Sequence, residues 1–133
     1  MPEDVPPNAV VIRFRPTDPA SLLGWADKSF RQCGAYRLSV FVGVKSDTES
    51  DEDLFNRLLA AAELGGIRVE GNRYFWVCTS AAELLEDGFV FFKDGTPGEP
   101  AEHYSVDLGA SPTVDDVVRF LEPFRTKERW LQQ

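Results

Sequence analysis

The stretch YRLSVFVGV, residues 36–44, decides the fold. Its apolar residues recur at every second position, with Leu38, Val40 and Val42 on one face and more polar residues interleaved. A period of two is that of a β-strand, because successive side chains of a strand point to opposite faces of the sheet. The stretch therefore predicts a strand near the centre of a sheet.

Upstream, residues 10–14 alternate in the same way and predict a strand with one buried face. Between the two strands, apolar residues recur at helical spacing over residues 22–33. Thr17 or Asp18, followed by a proline, supplies an N-cap, and Gly34 supplies a stop. A helix is therefore predicted between the first two strands.

Downstream of residue 44, each change of pattern is bounded by turn or capping residues. The predicted elements are a helix from Ser50 to Gly65, a hairpin of residues 67–70 and 73–79, a short helix behind the capping box Ser80-Ala81-Ala82-Glu83, a hairpin of residues 89–93 and 102–108, and a helix from Thr113 to Pro123. In the last helix, Val114, Val117, Val118 and Leu121 follow the spacing of one apolar face.

The element order is βαβα-ββαββα, which predicts an α+β fold in a single domain. We expect a mixed or mainly antiparallel sheet of about five to six strands, with about four helices on one side of it. Residues 1–8 are predicted to form a flexible leader, residues 9–124 the domain and residues 125–133 a C-terminal tail.

The chain has 133 residues and a formal net charge of −8. Nucleic-acid and membrane-surface binding are not expected, because both depend on clustered Lys and Arg. Residues 46–100 contain twelve acidic residues against four basic ones, an excess of eight. Because the negative charge is concentrated in this part of the chain, we expect a directional electrostatic field and a partner protein with a basic surface.

The two cysteines, Cys33 and Cys78, are too few for a disulfide scaffold. No apolar run approaches the roughly 20 residues that span a bilayer, and the first residues do not resemble a signal peptide. A cytoplasmic location is therefore expected.

No sequence motif for a cofactor or a metal ion is present, and none is predicted. The acidic run from Asp47 to Asp53 superficially resembles the start of a calcium loop. Such a loop needs Gly at its sixth position and Glu at its twelfth, where this chain has Glu52 and Leu58.

The only histidine, His103, alternates with Ser105 and Asp107 on one predicted strand face. Alternate strand residues lie nearly 7 Å apart and the serine is in the middle, so the histidine cannot bridge both partners of a triad. A small enzyme that uses carboxylates, or Cys78 with His103, remains an alternative that requires their strands to be neighbours.

The runs at residues 74–77 and 89–92 are apolar on both strand faces. Most of this area is expected in the core, and an exposed remainder would suit a protein interface or a structural homodimer. Trp130 follows three cations near the C-terminus and either packs back onto the domain or anchors a partner.

These properties favour a non-enzymatic acidic binding module, of the inhibitor, immunity-protein or antitoxin kind, over an enzyme. Acidic residues would steer association with a basic protein, and tryptophans would supply desolvated contacts. The predicted partner-binding residues are Asp47, Glu49, Asp51, Glu52, Asp53, Trp76 and Trp130.

Overall fold

The computed structural model describes residues 3–14, 18–66, 74–93 and 100–128. These ranges contain six strands and four helices, and five of these strands and all four helices correspond to predicted elements. In chain order the elements are β1 (Val10–Arg13), α1 (Pro19–Cys33), β2 (Arg37–Gly43), α2 (Asp51–Leu64), β3 (Tyr74–Cys78), α3 (Ala81–Glu86), β4 (Val90–Lys93), β5 (His103–Asp107), α4 (Val114–Leu121) and β6 (Arg125–Glu128).

The strands form one sheet in the order β4-β5-β2-β1-β3-β6, and every neighbouring pair is antiparallel. The predicted α+β class and the antiparallel β4–β5 hairpin are confirmed, and β2 lies inside the sheet as its alternation indicated. No helix in the described part of the chain combines the length and apolarity needed to cross a membrane.

Helices cover both faces of the sheet, so the expectation that they lie on one side is wrong. One buried cluster joins alternate residues of β2 to α1, α3 and α4, whereas the other joins Ile12, Phe41 and Phe75 to α2. Because β1 lies between these layers, Val11 and Ile12 are both fully buried. The prediction of a single buried face on β1 is therefore also wrong.

The close approach of α2 to the sheet depends on Gly43 in β2. A Cβ atom at this position would lie 2.9 Å from Leu58 Cδ2 and 3.2 Å from Leu54 Cδ1, both on α2. These distances are shorter than ordinary van der Waals contact, so a glycine lets the helix pack directly on β2.

α2 covers β1, β3 and the end of β2, but it leaves another part of its face of the sheet accessible. Register places Val90, Asp107 and Arg37 in one row across β4, β5 and β2, and Phe92, Ser105 and Ser39 in the next. Val90 is 38% exposed and Ser39 is exposed. This part of the sheet is an open surface.

Both chain ends differ from the expected leader and tail. Val5 is buried in the core, Glu3 N donates to Phe91 O of β4, and Pro7 O accepts a hydrogen bond from Ala82 N. At the other end, residues 125–128 pair with β3 as an edge strand. Their sequence, RTKE, has no apolar alternation. Charged side chains of this kind are common on edge strands, which pair with the sheet through their backbone.

Three of the four side-chain helix caps predicted from the sequence occur in the structure. Asp18 accepts from Ser21 N, and Ser50 and Thr113 form capping boxes with acidic residues three positions later. The capping box predicted at Ser80 is absent, because the Ser80 hydroxyl donates to Pro7 O instead. The first strand of the hairpin predicted at residues 67–70 lies outside the described residues.

The apolar face predicted for the last helix is buried only in part, and the prediction is wrong at two of its positions. Val117 is fully buried, but Val114 and Val118 are 45% and 47% exposed. Phe120 and Phe124 fill the core instead, and their ring centroids are 5.3 Å apart.

Candidate functional site

The acidic segment, residues 47–53, leads into the N-terminus of α2 and is held there by Arg57. The Arg57 guanidinium donates to both carboxylate oxygens of Glu49 at 2.9 and 3.0 Å and to Val44 O at 2.8 Å. It also lies 3.6 Å from a Glu102 carboxylate oxygen. Glu49 is therefore engaged within the protein and is only 18% exposed.

This engagement changes the acidity of the pair. Hydrogen bonds from Arg57, together with one from Ser46 N, lower the pKa of Glu49 to about 2. The hydrogen bonds between Arg57 and Glu49 also raise the pKa of Arg57. Both groups therefore stay charged at every physiological pH.

Two further carboxylates of the acidic segment also have partners. Lys45 Nζ lies 2.9 Å from Asp51 Oδ1, and Asp53 accepts a hydrogen bond from Ser50 N in the capping box. Of the five carboxylates in the acidic segment, only those of Asp47 and Glu52 have no hydrogen-bond or ion-pair partner among the described residues. The segment therefore uses most of its charge within the fold.

The predicted tryptophans do not join the acidic segment. Trp76 lies on β3 opposite Arg13 and packs, half-buried, against the cluster of α1, α3 and α4. The segment lies at α2, on the other face of the sheet. Trp130 lies outside the described residues. The structure thus brings together Asp47, Glu49, Asp51, Glu52 and Asp53, but it separates them from Trp76.

A second acidic surface was not singled out from the sequence, and we name it the α3–α4 face. It consists of the exposed residues Glu83, Glu86 and Asp87, at and after α3, and Val114, Asp115, Val118 and Glu122 in and after α4. The carboxylates of Glu86, Asp87, Asp115 and Glu122 have no hydrogen-bond or ion-pair partner in the described ranges.

Arg119 connects the two parts of the α3–α4 face. Its guanidinium donates to Asp87 O at 3.1 Å and to Asp116 Oδ1 at 2.9 Å, and it lies 5.3 Å from the centroid of the Phe89 ring. The hydrogen bond from Thr113 N and the one from Arg119 lower the pKa of Asp116. Arg119 is therefore neutralised locally by Asp116.

Arg125 is the other arginine in this region. Its guanidinium donates to the backbone carbonyls of Glu122 and Phe124 at 2.7 and 2.9 Å. Bonds to neutral carbonyls leave the charge of Arg125 in place, but the four unpaired carboxylates of the α3–α4 face outnumber the two arginines.

One sequence signal could have identified the α3–α4 face. Asp115, Arg119 and Glu122 recur at the spacing of one helix side, with Val114 and Val118 one turn apart beside them. The spacing alone predicts a core position for Val114 and Val118, because an exposed valine pair and a buried one have the same spacing.

The proposed alternation of His103, Ser105 and Asp107 on one strand face is confirmed by their register opposite Phe41, Ser39 and Arg37. The His103 ring stacks on Phe41 with centroids 5.1 Å apart. Asp107 instead accepts from Gly109 N at 2.7 Å and lies 3.8 Å from Arg37 Nε. These contacts hold the strand and its following turn and assemble no triad.

Cys78 and His103 are also kept apart. Their strands, β3 and β5, are separated by β2 and β1, which corresponds to roughly 14 Å at the usual strand spacing. Their side chains belong to opposite faces of the sheet. Burial raises the pKa of the Cys78 thiol to about 11, which disfavours a thiolate. This pair cannot act as nucleophile and base.

Both cysteines are free thiols, with Cys33 exposed and Cys78 buried. The Cys33 pKa is lowered, chiefly by the hydrogen bond with the Ser29 hydroxyl. No group of three His, Cys, Asp or Glu side chains in the described residues is placed to hold a metal ion.

Most of the two aromatic runs is core, as expected. Phe75 and Phe91 are fully buried, whereas Trp76 and Phe92 are half-buried. The Phe92 ring lies under the Arg37 guanidinium at 4.1 Å. In the described residues, the exposed remainder of these runs is Val90 together with parts of Trp76 and Phe92.

Comparison with models of protein families, with curated proteins and with solved structures finds no match to this chain.

Proposed function

We propose that this protein is a non-enzymatic binding module that inhibits a basic partner protein in the cytoplasm, in the manner of an immunity protein or an antitoxin. One observation carries the proposal: on α4, the exposed valines Val114 and Val118 lie beside the unpaired carboxylates of Asp115 and Glu122. A protein interface combines apolar contact with charges that match the partner.

The charge of the chain supports a basic partner. A net charge of −8 attracts a cationic protein over distances of about 8 to 10 Å at physiological salt and raises the association rate. Carboxylates that have no intramolecular partner keep their full charge for such an encounter. The same charge opposes binding to nucleic acids and anionic lipids.

The binding surface in this proposal is the α3–α4 face. The acidic segment adds to the long-range field, but its Glu49, Asp51 and Asp53 are occupied by Arg57, Lys45 and the cap of α2. The α3–α4 face combines more unpaired carboxylates with exposed apolar side chains. It therefore suits a docked contact better than the acidic segment does.

The test begins with affinity capture from the host and identification of the partner by mass spectrometry. Association of the purified pair is then measured between about 20 and about 300 mM salt. We expect a basic partner and an association rate that falls on the order of tenfold over this range. A rate that does not change with salt, or sedimentation showing that the chain binds only itself, would overturn the proposal.

A further inference from the structure

A pocket of about 310 Å³ lies where the chain enters β4 and leaves β5. Phe89, Val90 and Phe92 form part of its apolar wall, and Asp87 and Asp107 are also among its lining residues. We name it the β4–β5 pocket. It adjoins the α3–α4 face, because Asp87 belongs to both and Arg119, which also lines the pocket, donates to the Asp87 backbone carbonyl. Its volume is at the lower end of the range of roughly 300 to 1,000 Å³ for small-molecule sites, so it suits one long side chain.

The charges around the pocket leave an unpaired carboxylate. Arg37 lies beside Asp107, and Arg119 donates to Asp116, so each guanidinium has an acidic partner. The Asp87 side chain has no hydrogen-bond or ion-pair partner among the described residues, whereas its backbone carbonyl accepts from Arg119. The pocket thus has a place for one more cation.

The aromatic walls indicate which cation fits. The aromatic walls already make two contacts with a guanidinium: Arg37, which is not part of the pocket lining, lies over Phe92 at 4.1 Å, and Arg119 lies over Phe89 at 5.3 Å. A planar guanidinium can bind a carboxylate through two hydrogen bonds and tolerates close neighbours of its own kind better than a strongly hydrated ammonium does. An aliphatic stem would complete the contact with Val90.

We propose that the β4–β5 pocket binds an arginine side chain of the basic partner, with its guanidinium at Asp87 and its stem against Val90 and Phe92. The inference rests on the proposed function, since it names the anchor by which that partner would be held. It assigns the centre of the interface to the end of α3 rather than to the acidic segment.

The experiment uses the full chain alone, with N-acetyl-L-arginine amide as the probe and N-acetyl-L-citrulline amide as its uncharged match. Backbone amide shifts are followed by NMR. We expect saturable shifts at residues 87–92 and 107–109 with the arginine probe, and at least threefold weaker binding in Asp87→Asn. Glu63→Gln removes one negative charge from α2, outside the pocket and the α3–α4 face, and should bind the probe as the parent protein does.

Shifts that are absent, that are equal for the citrulline probe, or that weaken equally in Asp87→Asn and Glu63→Gln would overturn the inference. A second variant, Val90→Lys, places a cation at the wall of the pocket and should abolish probe binding. Its control, Leu64→Lys, places a cation at an exposed position of α2 and should leave probe binding unchanged.

The two proposals fail separately. A captured basic partner together with a pocket that does not bind arginine overturns only the pocket. A pocket that binds arginine without any salt-dependent partner overturns only the proposed function.

Discussion

The acidic segment and the α3–α4 face each include the start of a capped helix, yet their carboxylates have different partners. In the segment, Arg57 binds Glu49 through two hydrogen bonds and Lys45 binds Asp51. On the α3–α4 face, Asp115 and Glu122 are exposed and unpaired within the described chain. The comparison shows that acidic residues differ in how many of them are already paired within the fold. Charge that is already used in folding is not available to a partner.

The largest expected difference between the two regions is in their apolar side chains. Leu58 of α2 is fully buried, so Leu58→Ala should lower the free energy of unfolding by about 3 kcal/mol. Val118 of α4 is 47% exposed, and Val118→Ala should change it by less than about 0.5 kcal/mol. Urea unfolding followed by tryptophan fluorescence measures both. Similar losses in the two variants would show that Val118 is needed for folding.

Replacing the arginine of each region should give a smaller difference in the free energy of unfolding. Arg57→Met leaves Glu49 and Glu102 without their cation and Val44 O without its donor, so we expect a loss of about 1 to 2 kcal/mol. Arg119→Met is the matched change on the α3–α4 face. It should cost about 0.5 kcal/mol, because Arg119 is nearly half exposed and pairs with one carboxylate. Equal losses would contradict the difference in pairing.

The smallest effect on folding concerns the pH dependence of the acidic segment. The pKa of Glu49 is about 2 in the folded protein, below its ordinary value near 4.5. Its stabilising contribution is therefore fully present above about pH 5 and is lost as the pH falls towards 2. Glu49→Gln should be less stable than the parent protein at pH 7, and the gap in urea midpoint should close on acidification. A gap that is constant from pH 7 to about pH 2 would contradict this account, and Glu52→Gln serves as the control.

Local patterns predicted much of the fold. The alternation in β2, the Asp18 cap with its following proline, and the Gly34 stop each act over a few residues, and each occurs as expected. Gly34 has a φ of 79°, a conformation that glycine adopts without strain. Such signals are readable because their physical cause lies within one turn or one strand.

The remaining features depend on contacts that are distant in sequence. Residues 125–128 form β6 only because the edge of β3 is available to them, and residues 3–9 are held by backbone bonds to α3 and β4. Likewise, the run of acids at residues 47–53 is visible in the sequence, but the pairing of Glu49 and Glu102 with a single arginine is not. The sequence therefore indicated where the charges are and could not show which of them have partners.

The most direct test compares two matched charge removals. Asp115→Asn with Glu122→Gln removes two unpaired charges from the α3–α4 face, and Asp47→Asn with Glu52→Gln removes two unpaired charges from the acidic segment. Stopped-flow association with the captured partner is measured at low salt. We expect the rate to fall about fivefold for the first pair and less than about twofold for the second. Equal reductions, or a larger reduction for the second pair, would contradict the assignment of the binding surface to the α3–α4 face.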